Sequence, residues 1–250
     1  RNKIKGYHKK LKEIKFKEKL KNLVFRIGIS IPDDIVLYDP QEKKVIYPCH
    51  LGICFYGQFK EAIFNNIQLS IEEIFPDFCF NIVDLGTFNF SLKMLLRGTK
   101  KEFEDFDSTK KKLNLHPTNK FYQILINKRI EHKLDTIIAI TDLPLYSSVN
   151  NKIHFLFGEA NMKYGVGVVS SLKLKQEFYN KRKRKKLFES RIIKEVLHEI
   201  GHLILGSEHC SKETCIMKFS NDITEVDDKP IFLCENCQKR LEKVRLKFNF

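Results

Sequence analysis

A chain of 250 residues with a hydrophobic fraction of 42% can bury the core of one or two domains. It contains no run of about 18 apolar residues, which excludes a transmembrane helix. The 45 Lys+Arg against 31 Asp+Glu give +14, a field that could attract nucleic acid, anionic membrane or acidic peptides. Residues 1–22 carry +8 of it, however, and leave +6 for everything else.

In chain order, residues 1–22 read as a basic arm. Ile4, Tyr7, Leu11 and Ile14 form a helical stripe on it, and a solvated terminus is preferred to a helix lying on a membrane or partner. Arg1 rather than Met opens the sequence, as in a processed or shortened chain. Residues 23–31 and 44–47 are strand-like, and residues 58–75 carry apolar side chains at helical spacing. A strand is predicted over 79–83, a helix over 119–133 and a buried β-branched strand over 135–140. Two more strands follow at 153–157 and 166–170, separated by a loop containing Gly158, Asn161 and Gly165. The alternation predicts a mixed α/β sandwich. The run KRKRKK at 181–186 reads as a solvated loop, with nuclear targeting as the sharper alternative. From Ser190, a good N-cap residue, a helical apolar pattern runs to a stop at Gly206. A Cys-rich tail and a short basic helix near 238–247 complete the chain.

The densest chemistry lies in residues 198–237. HEIGH places His198 and His202 four apart, so on a helix both imidazoles leave one face with Cβ atoms about 5–6 Å apart and can share a Zn²⁺. Glu199, about a quarter turn away, is placed to accept a proton from a water that the metal activates. A catalytic zinc takes three protein ligands and keeps one position open, and His209 follows just after Gly206. Cys210, Cys215, Cys234 and Cys237 form two close pairs that together make a closed four-thiolate structural zinc site. Seven Cys, so clustered, indicate metal binding in a reducing compartment rather than a disulfide framework, and a cytoplasmic location is expected, with nuclear access if the basic run is read. Cys49 and Cys54, which bracket His50, read as core residues.

The string HEIGHLILGSEHCSKETCIM followed by CENC resembles the archaemetzincins, archaelysin-type zinc metallopeptidases of the metzincin class. ITDLPLY at 140–146, HFLFGEA at 154–160, VGVVSSLKL at 166–174 and EFYN at 177–180 are similar to the same family. The resemblance implies that His198, His202 and His209 hold a catalytic zinc, that Glu199 is the general base, that Met217 forms a Met-turn beneath the metal, and that the four Cys hold a second zinc. It departs in one place: the family spacing is H-E-x-x-H-x-x-G-x-x-H, and here His209 comes one residue late. Counted literally, the third ligand falls on Glu208. His209 is preferred because Gly-x-x-His and His-Cys are preserved, with a π-bulge or looser last turn absorbing the extra residue.

The expected architecture is a metzincin-like mixed sheet with a long active-site helix, an upper subdomain over 23–206 and a lower Cys-rich subdomain over 207–250. An edge strand pairs with an extended peptide substrate in the class it resembles. Residues 164–170 with the rim 158–162 are the candidate edge, which makes Gly158, Tyr164, Gly165, Val166 and Gly167 the candidate substrate-binding residues. A monomer acting on a peptide or protein substrate, with two zinc ions and without nucleic acid, is expected. The rival readings are a zinc-stabilised binding module, with the basic arm on phosphates, and an inactive peptidase that scaffolds partners.

Overall fold

The computed structural model describes residues 37–39, 45–59, 62–90, 95, 99–104, 110–148 and 155–250. The basic arm at 1–22 and the strand expected at 23–31 lie outside the described residues. Contacts group residues Leu37–Phe250 as one compact unit.

Five strands form the main sheet: β1 (Cys49–Tyr56), β2 (Cys79–Phe88), β5 (Thr136–Thr141), β7 (Gly158–Asn161) and β8 (Val166–Ser170), in the order β2-β1-β5-β8-β7. β2, β1, β5 and β8 are parallel, and β7 runs antiparallel to β8. A smaller sheet joins β3 (Thr99–Glu104), β4 (Lys110–Pro117) and β6 (Leu145–Tyr146). Helix α1 (Ala62–Ile74) and the long α3 (Lys185–Leu205) cover one face of the main sheet, and α2 (Asn119–Glu131) covers the other. Alternate residues therefore enter different cores. Leu51, Ile53, Phe55, Ile138 and Ile140 pack toward α1 and α3, whereas Cys54, Tyr56, Ile137 and Ala139 pack toward α2. Helices on both faces explain why TIIAIT is buried at every position and shows no polar alternation.

Several boundaries differ from the sequence expectation. The first described strand is not 44–47 but Cys49–Tyr56, because Pro48 has no N–H to give a ladder, and pairing begins at Cys49, whose N–H donates to the Phe78 carbonyl at 3.0 Å. The strand expected at 153–157 is displaced to Gly158–Asn161: residues 155–157 are not strand, and 153–154 lie outside the described residues. Gly158 and Asn161, expected in a loop, belong to that strand, and the turn to β8 is made at Gly165, whose φ is 62°. Helix α3 begins at Lys185, inside the basic run, so Ser190 is an interior residue and Arg184 is the N-cap. Short helix α4 (Ile223–Asp228) and helix α5 (Glu235–Phe248) then give the Cys-rich tail more regular structure than its pattern suggested.

One hydrophobic core runs across the boundary expected at 206. Ile67, Ile71 and Phe75 of the α1 region, Val196 and Ile200 of α3, and Ile216, Met217, Val226 and Leu241 beyond it belong to the same cluster. Because α3 is covered on nearly every side, its polar residues are buried too and must be matched inside the protein. Arg191 makes two 2.6 Å bonds to the Asp227 carboxylate and a third, at 2.8 Å, to the Leu174 carbonyl. Lys194 donates to the carbonyls of Val226 and Asp227 at the end of α4. Glu195 pairs with Lys229 at 2.8 Å, with both side chains under 5% exposed.

Arg191→Ala is expected to destabilise the chain by about 3 kcal/mol in urea denaturation. That is the low end for breaking a buried pair, because the abandoned Asp227 side chain is 31% exposed and can rehydrate. Lys239→Ala, which removes a pair whose members are each 69% exposed, should change stability by less than about 1 kcal/mol.

Candidate metal centre

Two turns of α3 carry the first ligand candidates. His198 Nδ1–H donates to the Ile216 carbonyl at 2.9 Å, and His202 Nδ1–H donates to the Gly206 carbonyl at 2.9 Å. With both Nδ1 atoms so engaged, each Nε2 carries a lone pair. The two Nε2 atoms lie 3.1 Å apart, and His209 Nε2 comes to 3.2 Å from that of His202. Lone pairs do not bond to each other. Convergence at this spacing fits a cation between them, because two bonds of 2.0–2.1 Å at a tetrahedral angle set nitrogens about 3.3 Å apart. Burial lowers the pKa of all three imidazoles, that of His209 to about 4, so they are the neutral form that a metal needs.

The chain reaches His209 without a π-bulge, contrary to the sequence expectation. Helix α3 stays α-helical through Leu205, and Gly206 N–H still bonds the His202 carbonyl at 3.0 Å. The extra residue is absorbed after the helix, where Gly206 adopts φ 97° and turns the chain back toward His202. Glu208 is exposed and does not join the three histidines.

Glu199 lies beside them, 3% exposed, and its Oε2 makes no hydrogen bond within the protein. Burial, reinforced by Glu195 and Glu159, raises its pKa well above the usual carboxylate value. Its carboxylate lies against the start of β7, where a Cβ on Gly158 would meet Glu199 Oε1 at 2.5 Å. A second glycine serves the same helix from below, since a Cβ at Gly201 would collide with the sulfur of Met217, which is fully buried.

Cys210, Cys215, Cys234 and Cys237 gather with their sulfurs within 4.8 Å of one another, Cys210 and Cys234 at 3.6 Å. Four thiolates on one zinc, each at about 2.3 Å, lie about 3.8 Å apart, so the set fits a closed tetrahedral site. Backbone N–H groups of Lys212 and Cys234 point at Cys210 and Cys215 sulfurs, each at 3.4 Å. Burial pushes the Cys234 thiol up, but bonds from the Cys237 backbone and the neighbouring thiols outweigh it and bring it to about 7. The Cys210 N–H bonds the Met217 carbonyl at 2.9 Å, which ties the two clusters together.

A cleft of about 490 Å³ opens over the histidines, bounded by Phe157, Gly158 and Glu159 on one side and by Ser207, Phe219 and Asn221 on the other. Of the five candidate substrate-binding residues, Gly158 lines it, and Tyr164, Gly165, Val166 and Gly167 do not. The candidate edge is corrected as well: β8 lies between β5 and β7, with all five residues buried, so the sheet ends at β7. Glu159 and Glu195, not singled out from sequence, also line the cleft. Glu195 was within reach as the residue one helical turn before Glu199, whereas Glu159 gains its place only through Thr118 and Tyr122, whose hydroxyls donate to its Oε1. Among the described residues Cys49 and Cys54 join no metal cluster: strand alternation sends them into opposite cores.

The sequence profile of peptidase family M54 matches residues 50–243. The chain belongs to peptidase family M54. Among M54 relatives, the archaemetzincin of Pyrococcus furiosus is 37% identical over 115 residues, 46% of this chain and 58% of that protein. That of Methanocaldococcus jannaschii is 35% identical over 122 residues, 49% of this chain and 66% of that protein. The matched stretch thus spans less than two thirds of either relative. Solved structures share the fold: an archaemetzincin from Methanopyrus kandleri has a TM-score of 0.56 at 22% identity, covering 79% of this chain and 96% of that one. A zinc-dependent peptidase from Methanocorpusculum labreanum has a TM-score of 0.55 at 24% identity, covering 76% and 99%. The metzincin-like mixed sheet expected from the sequence is therefore the fold of an M54 chain.

Gly201→Ala is expected to lower stability by about 1–3 kcal/mol, the usual cost of overpacking, and to lower the melting temperature accordingly. An unchanged melting temperature would show that Met217 can withdraw freely.

Proposed function

We propose that this chain is a zinc metallopeptidase that cleaves peptide bonds by direct attack of water, with Glu199 as the general base. The observation that carries the reading is the meeting of three Nε2 atoms beside a buried carboxylate that bonds to nothing else through Oε2, at the end of an open strand edge. His198, His202 and His209 would hold a catalytic zinc, and Cys210, Cys215, Cys234 and Cys237 a structural one, two per chain. Held by these histidines, zinc would supply a Lewis acid for the scissile carbonyl and for water near neutral pH.

The remaining work falls to the chain. An extended peptide lies along the outer edge of β7, whose backbone groups offer strand pairing. The cleft runs between that edge and the segment beyond Gly206, which serves as the lower subdomain, and Phe157 and Phe219 give it apolar walls. A Glu199 carboxylate oxygen takes a proton from the attacking water and delivers it to the departing amine. The names of the M54 relatives support a peptidase over a binding module.

Glu199→Gln is expected to retain two zinc per chain and the native melting temperature while turnover of a peptide library falls by about 10²–10⁴-fold. Retention of turnover within a few-fold would overturn the mechanism. For the third ligand, His209→Ala is expected to weaken one zinc at least about 10–100-fold in a chelator competition, and Glu208→Ala to leave it unchanged. The opposite pattern would reassign the ligand to Glu208.

A further inference from the structure

Outside the cleft and both metal clusters, two thiols stand face to face. β1 and β2 pair Cys49 with Cys79, and directly opposed residues of neighbouring strands share a sheet face. Adjacent strands are about 4.8 Å apart, within the Cα separation of about 4.4–6.8 Å that a disulfide spans. Both are free thiols that line one small cavity, and Cys49 Sγ also lies 3.6 Å from Thr136 Oγ1. The neighbouring Cys79 thiol lowers the pKa of Cys49, while the Cys49 thiol together with burial raises that of Cys79. One sulfur of the pair is thereby favoured as nucleophile and the other as proton donor.

Ordinary packing accounts for many buried thiols, which behave as small hydrophobes. Cys54 is such a case: on the opposite face of β1, burial pushes its thiol up to about 12. Access separates the Cys49 pair from it. A cavity of about 10 Å³, lined by Cys49, Cys79, Thr136 and Ile204 among others, has room for about one water-sized molecule, and Cys79 is half-buried rather than buried. That space excludes a bulky disulfide oxidant such as oxidised glutathione, and hydrogen peroxide, one oxygen larger than water, comes nearest to its size.

We propose that Cys49 and Cys79 form an oxidisable dithiol that hydrogen peroxide converts into a disulfide joining β1 to β2. The Cys49 thiolate attacks one peroxide oxygen and the O–O bond breaks. This gives a Cys49 sulfenic acid and hydroxide, which recovers as water the proton that Cys49 gave up. Cys79 sulfur then attacks Cys49 sulfur, forming S–S and breaking S–O, and the oxygen leaves with the Cys79 proton as a second water. The two thiols lose two electrons, and the peroxide is reduced to two waters.

The test treats the zinc-replete full-length chain with graded hydrogen peroxide, blocks residual thiols by alkylation and maps peptides by mass spectrometry. A Cys49–Cys79 linked peptide, lost on reduction with dithiothreitol, should accumulate at peroxide levels that release no zinc and leave Cys54 alkylatable. In Cys79→Ser, or Cys79→Ala if the serine variant melts lower, dimedone should label Cys49, whereas Cys49→Ser should leave Cys79 unlabelled. Cys49 and Cys79 still fully alkylatable when half the zinc has been released would overturn the proposal, as would dimedone labelling of Cys79 in place of Cys49.

Discussion

Burial of helix α3 on almost every side forces the rest of the structure to supply it with polar partners. Twelve of its residues are buried, among them Arg191, Lys194, Glu195, His198, Glu199 and His202. An unmatched polar group in such a place costs on the order of 1–3 kcal/mol, more if charged. The partners come largely from the chain beyond Gly206: Asp227 and Lys229, the carbonyls of Val226 and Asp227, and the carbonyl of Ile216. Glu199 stands apart because Oε2 is left without a protein partner. Glu195, by contrast, has its ion pair with Lys229, so Glu199 is the buried carboxylate of α3 left open toward the cleft.

The segment that supplies these partners is held in turn by the four cysteines. Residues 207–250 contain two helices and long irregular stretches between them, so a tetrahedral thiolate site is a fitting staple for them. Its ligands are placed where position matters most. Cys210 adjoins His209, Cys215 precedes Ile216 and Met217, and Cys234 caps α5. One cluster therefore fixes the third histidine, the carbonyl that orients the first, and the sulfur beneath Gly201. Loss of the cysteine cluster would be felt at the histidine cluster through covalent neighbours rather than through distant packing.

Much of this was legible in the sequence where a local rule had little competition. The i,i+4 histidines, the apolar stripe and the Gly206 stop all belong to one helix, and the period of 3.6 residues applies throughout it. Strands failed where pairing overrode composition. CHLGICFY mixes Cys, His and Gly and offers no clean alternation, yet it lies second in the sheet because β2 and β5 flank it. Gly158–Asn161 is polar because it is an edge, and polarity reads as loop, while VGVVS reads as an accessible strand although it is enclosed.

The sequence by itself determined the helix's course to Gly206, the donor types and every cluster member but the third histidine, because ligand chemistry resides in side-chain identity and in spacings that a helix or a tight turn makes local. Tertiary structure decided the rest. That His209 rather than Glu208 meets His202 depends on φ at Gly206 and on the bond from Cys210 to Met217, neither of which has a signature in residue type. The edge strand beside Glu199 depends on strand order, and the pairing of Cys49 with Cys79 on register between segments 30 residues apart. Strand order and register are non-local: they are set by which faces the helices cover, and only the assembled sheet contains that information.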